Sequence, residues 1–343
     1  MSVQVSICLP TLNSRRFLLE RIESIQNQSF TDWELIAIDS HSEDGTSEIL
    51  EKFSAQDQRV RVLQAPKDGI YPNFNRGIQQ ARGQFIYIAT SDDTMAHDCL
   101  EKMLRALVEN PDCELAHCPM RVIDESGELG PDWWSRSSLF AKSSGDFLNC
   151  RHKRFAPVDG ILCLLGDSIY SSVTQLLIRR SLFDKIGNYS SDWGSLGDFH
   201  WNLRAGLVAS TVHVPDTWGG WRMHPAQATA GAQIGSPAHQ AIIDAMIDDV
   251  VNHLDRYVHL QHGRENIKRL NECAEKLRKH LRGHARCDSV LDRRIFLIRE
   301  ILSGSRHARD HIASLLPGRR RWPQAAPQVL SSWLGAGGFL SLR

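Results

Sequence analysis

Two carboxylates stand side by side in Ser91-Asp92-Asp93, directly after the apolar run Phe85-Ile86-Tyr87-Ile88-Ala89. Adjacent carboxylates repel each other, yet with unperturbed pKa values of about 3.9 both prefer to be ionised. A divalent cation resolves that conflict. Oxygen ligands favour Mg²⁺ or Mn²⁺, which bind through one or two carboxylates together with substrate phosphates. The competing reading is a helix N-cap, since Asp is favoured there and a helical pattern follows at 97–110. Another carboxylate, Asp39, closes the run Leu35-Ile36-Ala37-Ile38 and opens Asp39-Ser40-His41-Ser42-Glu43-Asp44-Gly45-Thr46. It can accept hydrogen bonds from a base or ribose, or it can cap the turn that Asp44-Gly45 supplies.

The elements that must hold these groups follow from periodicity. Strand-like runs at 3–9, 33–38, 60–63 and 85–89 alternate with helical patterns at 15–26, 46–53 and 74–81. That alternation predicts an α/β fold, Rossmann-like, with a mostly parallel sheet flanked by helices. In such sheets ligands bind beyond the carboxyl ends of the strands. Three of those ends are polar: Pro10-Thr11-Leu12-Asn13, Asp39-Ser40-His41-Ser42 and Thr90-Ser91-Asp92-Asp93. Hydroxyls and carboxylates converging there suit a nucleotide and a cation.

Beyond Asp93 the spacing predicts a helix at 97–110, a strand at 114–122, a long loop region at 124–160, a strand at 174–178, helices at 180–186 and 199–205, and a strand at 210–214. From 238 onward three helical segments, 238–259, 264–282 and 291–302, form a C-terminal helical extension. The expected division is a domain at 1–235 and the extension at 236–343.

Composition narrows the class. The 343 residues are 42% hydrophobic and 23% charged, an ordinary globular balance. Forty basic residues offset forty acidic ones, which argues against a nucleic-acid partner, since that would need a cationic surplus. Eight cysteines include no C-x-x-C pair, so reduced thiols in a cytoplasmic protein are expected rather than a disulfide framework or a zinc site. The N-terminus shows no basic segment followed by an apolar stretch. The longest apolar run, Ile161-Leu162-Cys163-Leu164-Leu165, falls far short of the roughly 20 residues of a spanning helix.

Four blocks in order carry a resemblance: Ser6-Ile7-Cys8-Leu9-Pro10-Thr11-Leu12-Asn13, the 39–46 run, Asp68-Gly69-Ile70-Tyr71-Pro72-Asn73-Phe74-Asn75-Arg76-Gly77, and Asp92-Asp93. Together they resemble the nucleotide-sugar domain of family 2 glycosyltransferases, the inverting GT-A type, over about 3–95 with further elements to about 230. The resemblance implies a nucleotide-sugar donor, UDP-sugars favoured, and a saccharide or lipid-linked acceptor in polysaccharide or glycolipid assembly. It places Pro10, Thr11 and Asn13 on the donor together with Asp39, Asp68, Asn75, Arg76, Ser91 and Asp92. Asp39 would bind the base, Asp92 the ribose, and Asp93 the metal bridging the diphosphate. This chain departs from the family pattern at Ser40, where a second carboxylate is usual, and at Pro72-Asn73, where Asp-Ala is common.

Downstream, the resemblance makes Asp198, in Gly197-Asp198-Phe199-His200-Trp201, the catalytic base, with Asp192 as rival and an N-cap as the competing reading. An acceptor hydroxyl must lose its proton as it attacks the anomeric carbon. Trp193 or Trp201 would stack on a sugar, and Trp133, Trp134, Trp218 and Trp221 join them as candidates for an acceptor wall or for core packing. The segment Trp221-Arg222-Met223-His224-Pro225-Ala226-Gln227-Ala228-Thr229 resembles the one that closes the family's active site. There His224 would be a metal ligand and Arg222 would offset phosphate charge. At the C-terminus, Arg319-Arg320-Arg321-Trp322 and the apolar tail after it suit peripheral contact with an anionic membrane, against the plainer reading of a packed tail. Two rival functions remain. A nucleotidyltransferase would want a Gly-rich basic loop after the first strand; the other is a non-catalytic sugar-binding or assembly protein on the same fold.

Overall fold

The computed structural model describes residues 3–132, 149–156, 159, 160, 163, 169–225, 227, 236–252 and 339–341. Its elements are β1 (Val5–Thr11), α1 (Arg15–Gln26), β2 (Trp33–Asp39), α2 (Thr46–Gln56), β3 (Val60–Gln64), α3 (Ile70–Gln80), β4 (Phe85–Ile88), α4 (Cys99–Glu109), β5 (Leu115–His117), β6 (Met120–Ile123), β7 (Leu129–Asp132), β8 (His152–Arg154), β9 (Leu176–Arg179), α5 (Ser181–Ile186), α6 (Gly197–Val208), β10 (Thr211–His213), β11 (Gly219–Arg222), α7 (Pro237–Asn252) and β12 (Phe339–Ser341).

The chain divides into two compact units. The first takes in what is described of 1–136, 170–201 and 211–231. Its main sheet runs β10-β5-β9-β4-β1-β2-β3, with a separate three-stranded sheet β11-β6-β7. β1 pairs parallel with β2 and β4, and β2 with β3, so the expected parallel sheet is present. β9 runs antiparallel between β4 and β5. Every residue of β1 and β2 is buried, as strands covered on both faces must be, which is why they read as near-continuous apolar runs. The chain moves outward from β1 through β2 to β3, then returns to lay β4 on the other side of β1. The strand order reverses between β1 and β4, and in an open α/β sheet that reversal marks where ligands bind.

Three boundaries differ from the expectation, each for a local reason. β1 continues through Pro10 to Thr11. The Cys8 carbonyl accepts from the Ala89 amide, and Pro10, two residues on, faces the same way but past the end of β4, where no ladder donor is required. α3 begins at Ile70 rather than at Phe74. Gly69, at φ 112°, makes the turn, and Pro72 sits in the first turn, where its missing N–H costs nothing. The 114–122 run is two strands, β5 and β6, in different sheets, parted at Cys118-Pro119.

The second unit takes in what is described of 137–169, 202–210 and 232–343. In it β8 pairs antiparallel with β12, and the buried Arg154 guanidinium pairs with Asp159 at 2.7 Å. β7 and β8 fall in the stretch read as loop. Trp133, Trp134, the helical patterns at 264–282 and 291–302 and the basic run 319–322 lie outside the described residues. Among the described residues no helix is long and apolar enough to cross a membrane.

Candidate functional site

The loops after β1, β2 and β4 are stitched to one another by short polar side chains. Asn13, in the left-handed region at φ 50°, donates its amide to Ser42 Oγ at 2.9 Å and accepts from the Glu43 amide at 2.9 Å. Ser14 Oγ donates to Ser91 Oγ at 2.8 Å, which ties the β1 loop to the β4 loop across the reversal point. Asp39 is fully buried and accepts from Thr11 Oγ1 at 2.9 Å, Ser42 Oγ at 2.6 Å, the Ser42 amide at 3.1 Å and Ser47 Oγ at 2.8 Å. Burial alone would push its carboxyl up, but those hydrogen bonds outweigh it and leave the group below its ordinary value. Asp39 therefore anchors this rim. Pro10 and Thr11 are buried at its foot.

The acid pair divides its labour. Asp93 is buried: its Oδ1 accepts from the Arg222 amide at 2.8 Å and its Oδ2 from the Thr90 hydroxyl. Burial first, and then the neighbouring Asp92 charge, push its carboxyl up to about 7. Asp92 remains partly open, with its Oδ2 3.0 Å from His224 Nε2. The His224 ring packs on Phe17 at 4.8 Å between centroids, and its Nδ1 is buried without a hydrogen-bond partner among the described residues. Among the described residues no cluster of three or more His, Cys, Asp or Glu side chains forms a self-contained metal site. The donors present nonetheless suit a cation that draws most of its shell from substrate. Burial, and after it the adjacent Asp92 charge, drives Asp93 toward neutrality, and an imidazole stands against Asp92.

Arg222 is fully buried. Its guanidinium donates to the carbonyls of Asp92 and Asp124, each at 2.7 Å, pairs with Glu20 at 2.5 Å, and lies over the Phe17 ring. It holds the acid-pair loop from behind. Asp68 and Arg76 form a two-pronged ion pair at 2.7 and 2.5 Å, and Arg76 also donates to Asn73, whose amide reaches Ser40. Asn75 is spent on the Tyr189 backbone, donating to its carbonyl at 2.8 Å and accepting from its amide at 3.1 Å. It locks the 187–190 stretch onto α3.

That stretch leads to Asp198, half-buried in the first turn of α6. Its Oδ1 accepts from the Phe199 amide at 2.8 Å and from the Tyr71 hydroxyl at 3.2 Å. Oδ2 accepts no hydrogen bond from the described residues. Burial raises the carboxyl above its ordinary value, and the two hydrogen bonds only partly oppose it. Asp192, the rival, is exposed and accepts from Ser190 Oγ at 2.7 Å. Trp201 is fully buried, donates to the Gly187 carbonyl and packs on Tyr189 and Phe183, so the stacking role allowed for it is corrected: it is core. Trp193 keeps some exposure beside His200. Sequence reasoning missed Tyr71 and Glu20. Tyr71 lay inside a quoted block, but a tyrosine on the apolar stripe of a helix reads as packing.

With this geometry in place, the match to known proteins is decisive: the model of the family "Glycosyl transferase family 2" covers residues 6–187. The chain belongs to glycosyltransferase family 2. Among curated relatives, the glycosyltransferase GlyG of Streptococcus pneumoniae is 36% identical over 110 residues, 32% of this chain and 36% of that protein. The GalNAc(5)-diNAcBac-PP-undecaprenol beta-1,3-glucosyltransferase of Campylobacter jejuni is 28% identical over 159 residues, 43% of this chain and 50% of that protein. The chain thus spans between about a third and a half of the length of these relatives. S. aureus TarS in complex with UDP-GlcNAc superposes with a TM-score of 0.55 at 15% identity, covering 91% of this chain and 92% of that one. That likeness shows the glycosyltransferase fold.

Proposed function

We propose that this family 2 glycosyltransferase moves a sugar from a UDP-sugar to an acceptor hydroxyl with inversion, supported by Mn²⁺ or Mg²⁺, in polysaccharide or glycolipid assembly. The observation that carries the reading is the Asp198 carboxylate. It is half-buried and raised in basicity, with one oxygen tethered by Phe199 and Tyr71 and the other left without a partner among the described residues. A base needs that combination of fixed orientation and an available lone pair.

The donor binds over the reversal point. Thr11, Asn13 and Asp39 shape the base and ribose side, with Asp39 acting through the serine- and threonine-bonded loop it anchors. Asp68, Asn75 and Arg76 frame the sugar side, and Ser91 and Asp92 meet the ribose. Asp93 and His224 would hold the cation, whose Lewis acidity would offset charge on the diphosphate leaving group. Arg222 holds Asp92 and Asp93 in place from within. Asp198 Oδ2 takes the acceptor proton while the hydroxyl oxygen attacks the anomeric carbon from the face opposite the diphosphate, and the anomeric centre inverts. The UDP and UDP-GlcNAc held in the TarS complexes and the lipid-linked glycan in the Campylobacter jejuni relative's name support the choice of donor and acceptor class.

The test is transfer by Asp198→Asn. Removing a general base costs about 10²–10⁴ in rate. Turnover should fall by that much while calorimetry shows unchanged UDP affinity, and the product of the parent enzyme should carry the opposite anomeric configuration to its donor. Near-normal turnover would move the role elsewhere, first to Asp192.

A further inference from the structure

Asp198 does not stand alone. Tyr71, in the second position of α3, is buried with its ring stacked parallel to Tyr189 at 6.1 Å and edge-on to Phe74 at 5.8 Å. Its hydroxyl lies 2.9 Å from the Ser195 carbonyl and 3.2 Å from Asp198 Oδ1. The approach of α6 to this ring is built for contact. A Cβ on Gly197, the residue before Asp198, would come within 2.7 Å of the Tyr71 ring and 2.3 Å of the Ser190 carbonyl, so no other residue type fits there unless the backbone moves.

We propose that Tyr71 is the positioning residue for the base: its hydroxyl holds Asp198 by Oδ1 so that Oδ2 faces the acceptor. This rests on the reading of Asp198 as base. The phenol carries one proton and has two acceptors. While Asp198 is a carboxylate, the proton is shared with Oδ1 and stabilises the charge. When the acceptor O–H bond breaks and an Oδ2–H bond forms, Oδ1 loses its charge and the phenol proton turns to the Ser195 carbonyl. The hydroxyl is never left without an acceptor. Burial, and next to it the Asp198 charge, push the Tyr71 phenol up, so it stays a donor throughout the working pH range. Of the elements packed on Asp198, α3 contributes Tyr71. The loop before α6 contributes the Ser195 carbonyl, while its Asp192 carboxylate accepts from Ser190.

Tyr71→Phe removes the hydroxyl and keeps the ring. The expected result is a fall in kcat of about tenfold or more, the loss of a hydrogen bond to a charged group, with the donor KM and UDP affinity unchanged. The acid limb of the kcat–pH profile should also move to higher pH, because the carboxylate has lost a stabilising donor. An unchanged kcat, or a lowered kcat whose acid limb has not moved, would overturn the proposal. If the Phe variant does not fold, 3-fluorotyrosine at position 71 supplies a stronger donor; it should move the limb to lower pH, and an unmoved limb overturns the proposal. Asp198→Asn, run alongside, separates the two failures. Normal turnover there removes the base itself, whereas an inactive Asn variant with an unaffected Tyr71→Phe removes only the positioning role.

Discussion

His224 Nε2 stands 3.0 Å from Asp92 Oδ2, joining the end of β11 to the end of β4 across two sheets. Asp92 thus holds at the acid pair the imidazole proposed, with Asp93, to hold the cation, while the other imidazole nitrogen is buried with no hydrogen-bond partner among the described residues. Truncating His224 should therefore weaken metal binding without disturbing the loops, which Arg222 fixes independently. For His224→Ala we expect Mn²⁺-supported UDP affinity to fall by at least about tenfold, since even outer partners of metal ligands are worth that much. UDP affinity in EDTA should be unchanged. Titration calorimetry reads both.

Asp198→Asn should be inactive and more stable. Burial holds the Asp198 carboxyl above its ordinary value, so the fold disfavours the carboxylate that exists at neutral pH. The penalty is fully present above the folded pKa and vanishes as pH falls below the unfolded value of about 3.9. The variant's Tm should exceed the parent's at pH 7, and the gap should close toward pH 4. A Tm at pH 7 equal to or below the parent's would contradict the burial argument.

Arg222→Met should destabilise the chain. The change leaves the Asp92 and Asp124 carbonyls without their donor and Glu20 without its cation. Breaking a buried ionic group costs roughly 3–5 kcal/mol; with Glu20 partly exposed, the lower figure of about 3 kcal/mol applies. Denaturant unfolding measures this, and nucleotide affinity should fall in parallel as the acid-pair loop loosens.

Glu34 sets a pH limit from below. It is buried in β2 and accepts from Ser6 Oγ at 2.7 Å, the Arg82 amide at 2.7 Å and Arg61 at 2.9 Å. Burial pushes its carboxyl up, but these donors together win and hold it below its ordinary value. A depressed folded pKa gives stability that is fully present above the unfolded value, about 4.3, and is lost as pH falls through the folded one. Glu34→Gln should lower Tm at neutral pH and flatten the acid side of the stability profile.

Strands β1, β2 and β4 and the residues at their ends were legible because burial on both faces leaves a near-continuous apolar run, and the polar residue that ends such a run marks the rim, while the half-exposed edge strand β3 showed through its Val60, Val62 and Leu63. The site's back wall was not. Arg222 reads from sequence as a cation to offset phosphate charge, and only the fold shows Glu20 and two carbonyls around it. Tyr71 and Asp198 are far apart in the chain, and no periodicity in α3 says that one hydroxyl will reach across to α6. Trp201 is the converse case. Its type suggested a sugar platform, while its place on the inner side of α6 made it core.

The central claim is that a divalent ion gathered at Asp92-Asp93 anchors the donor diphosphate. Anomalous diffraction from crystals grown with UDP and Mn²⁺ tests it directly. The account predicts a manganese peak against this pair and His224, bridging to the diphosphate, with Asp93 released from Thr90. A nucleotide bound over β1 and β4 with no anomalous signal at that corner would contradict it.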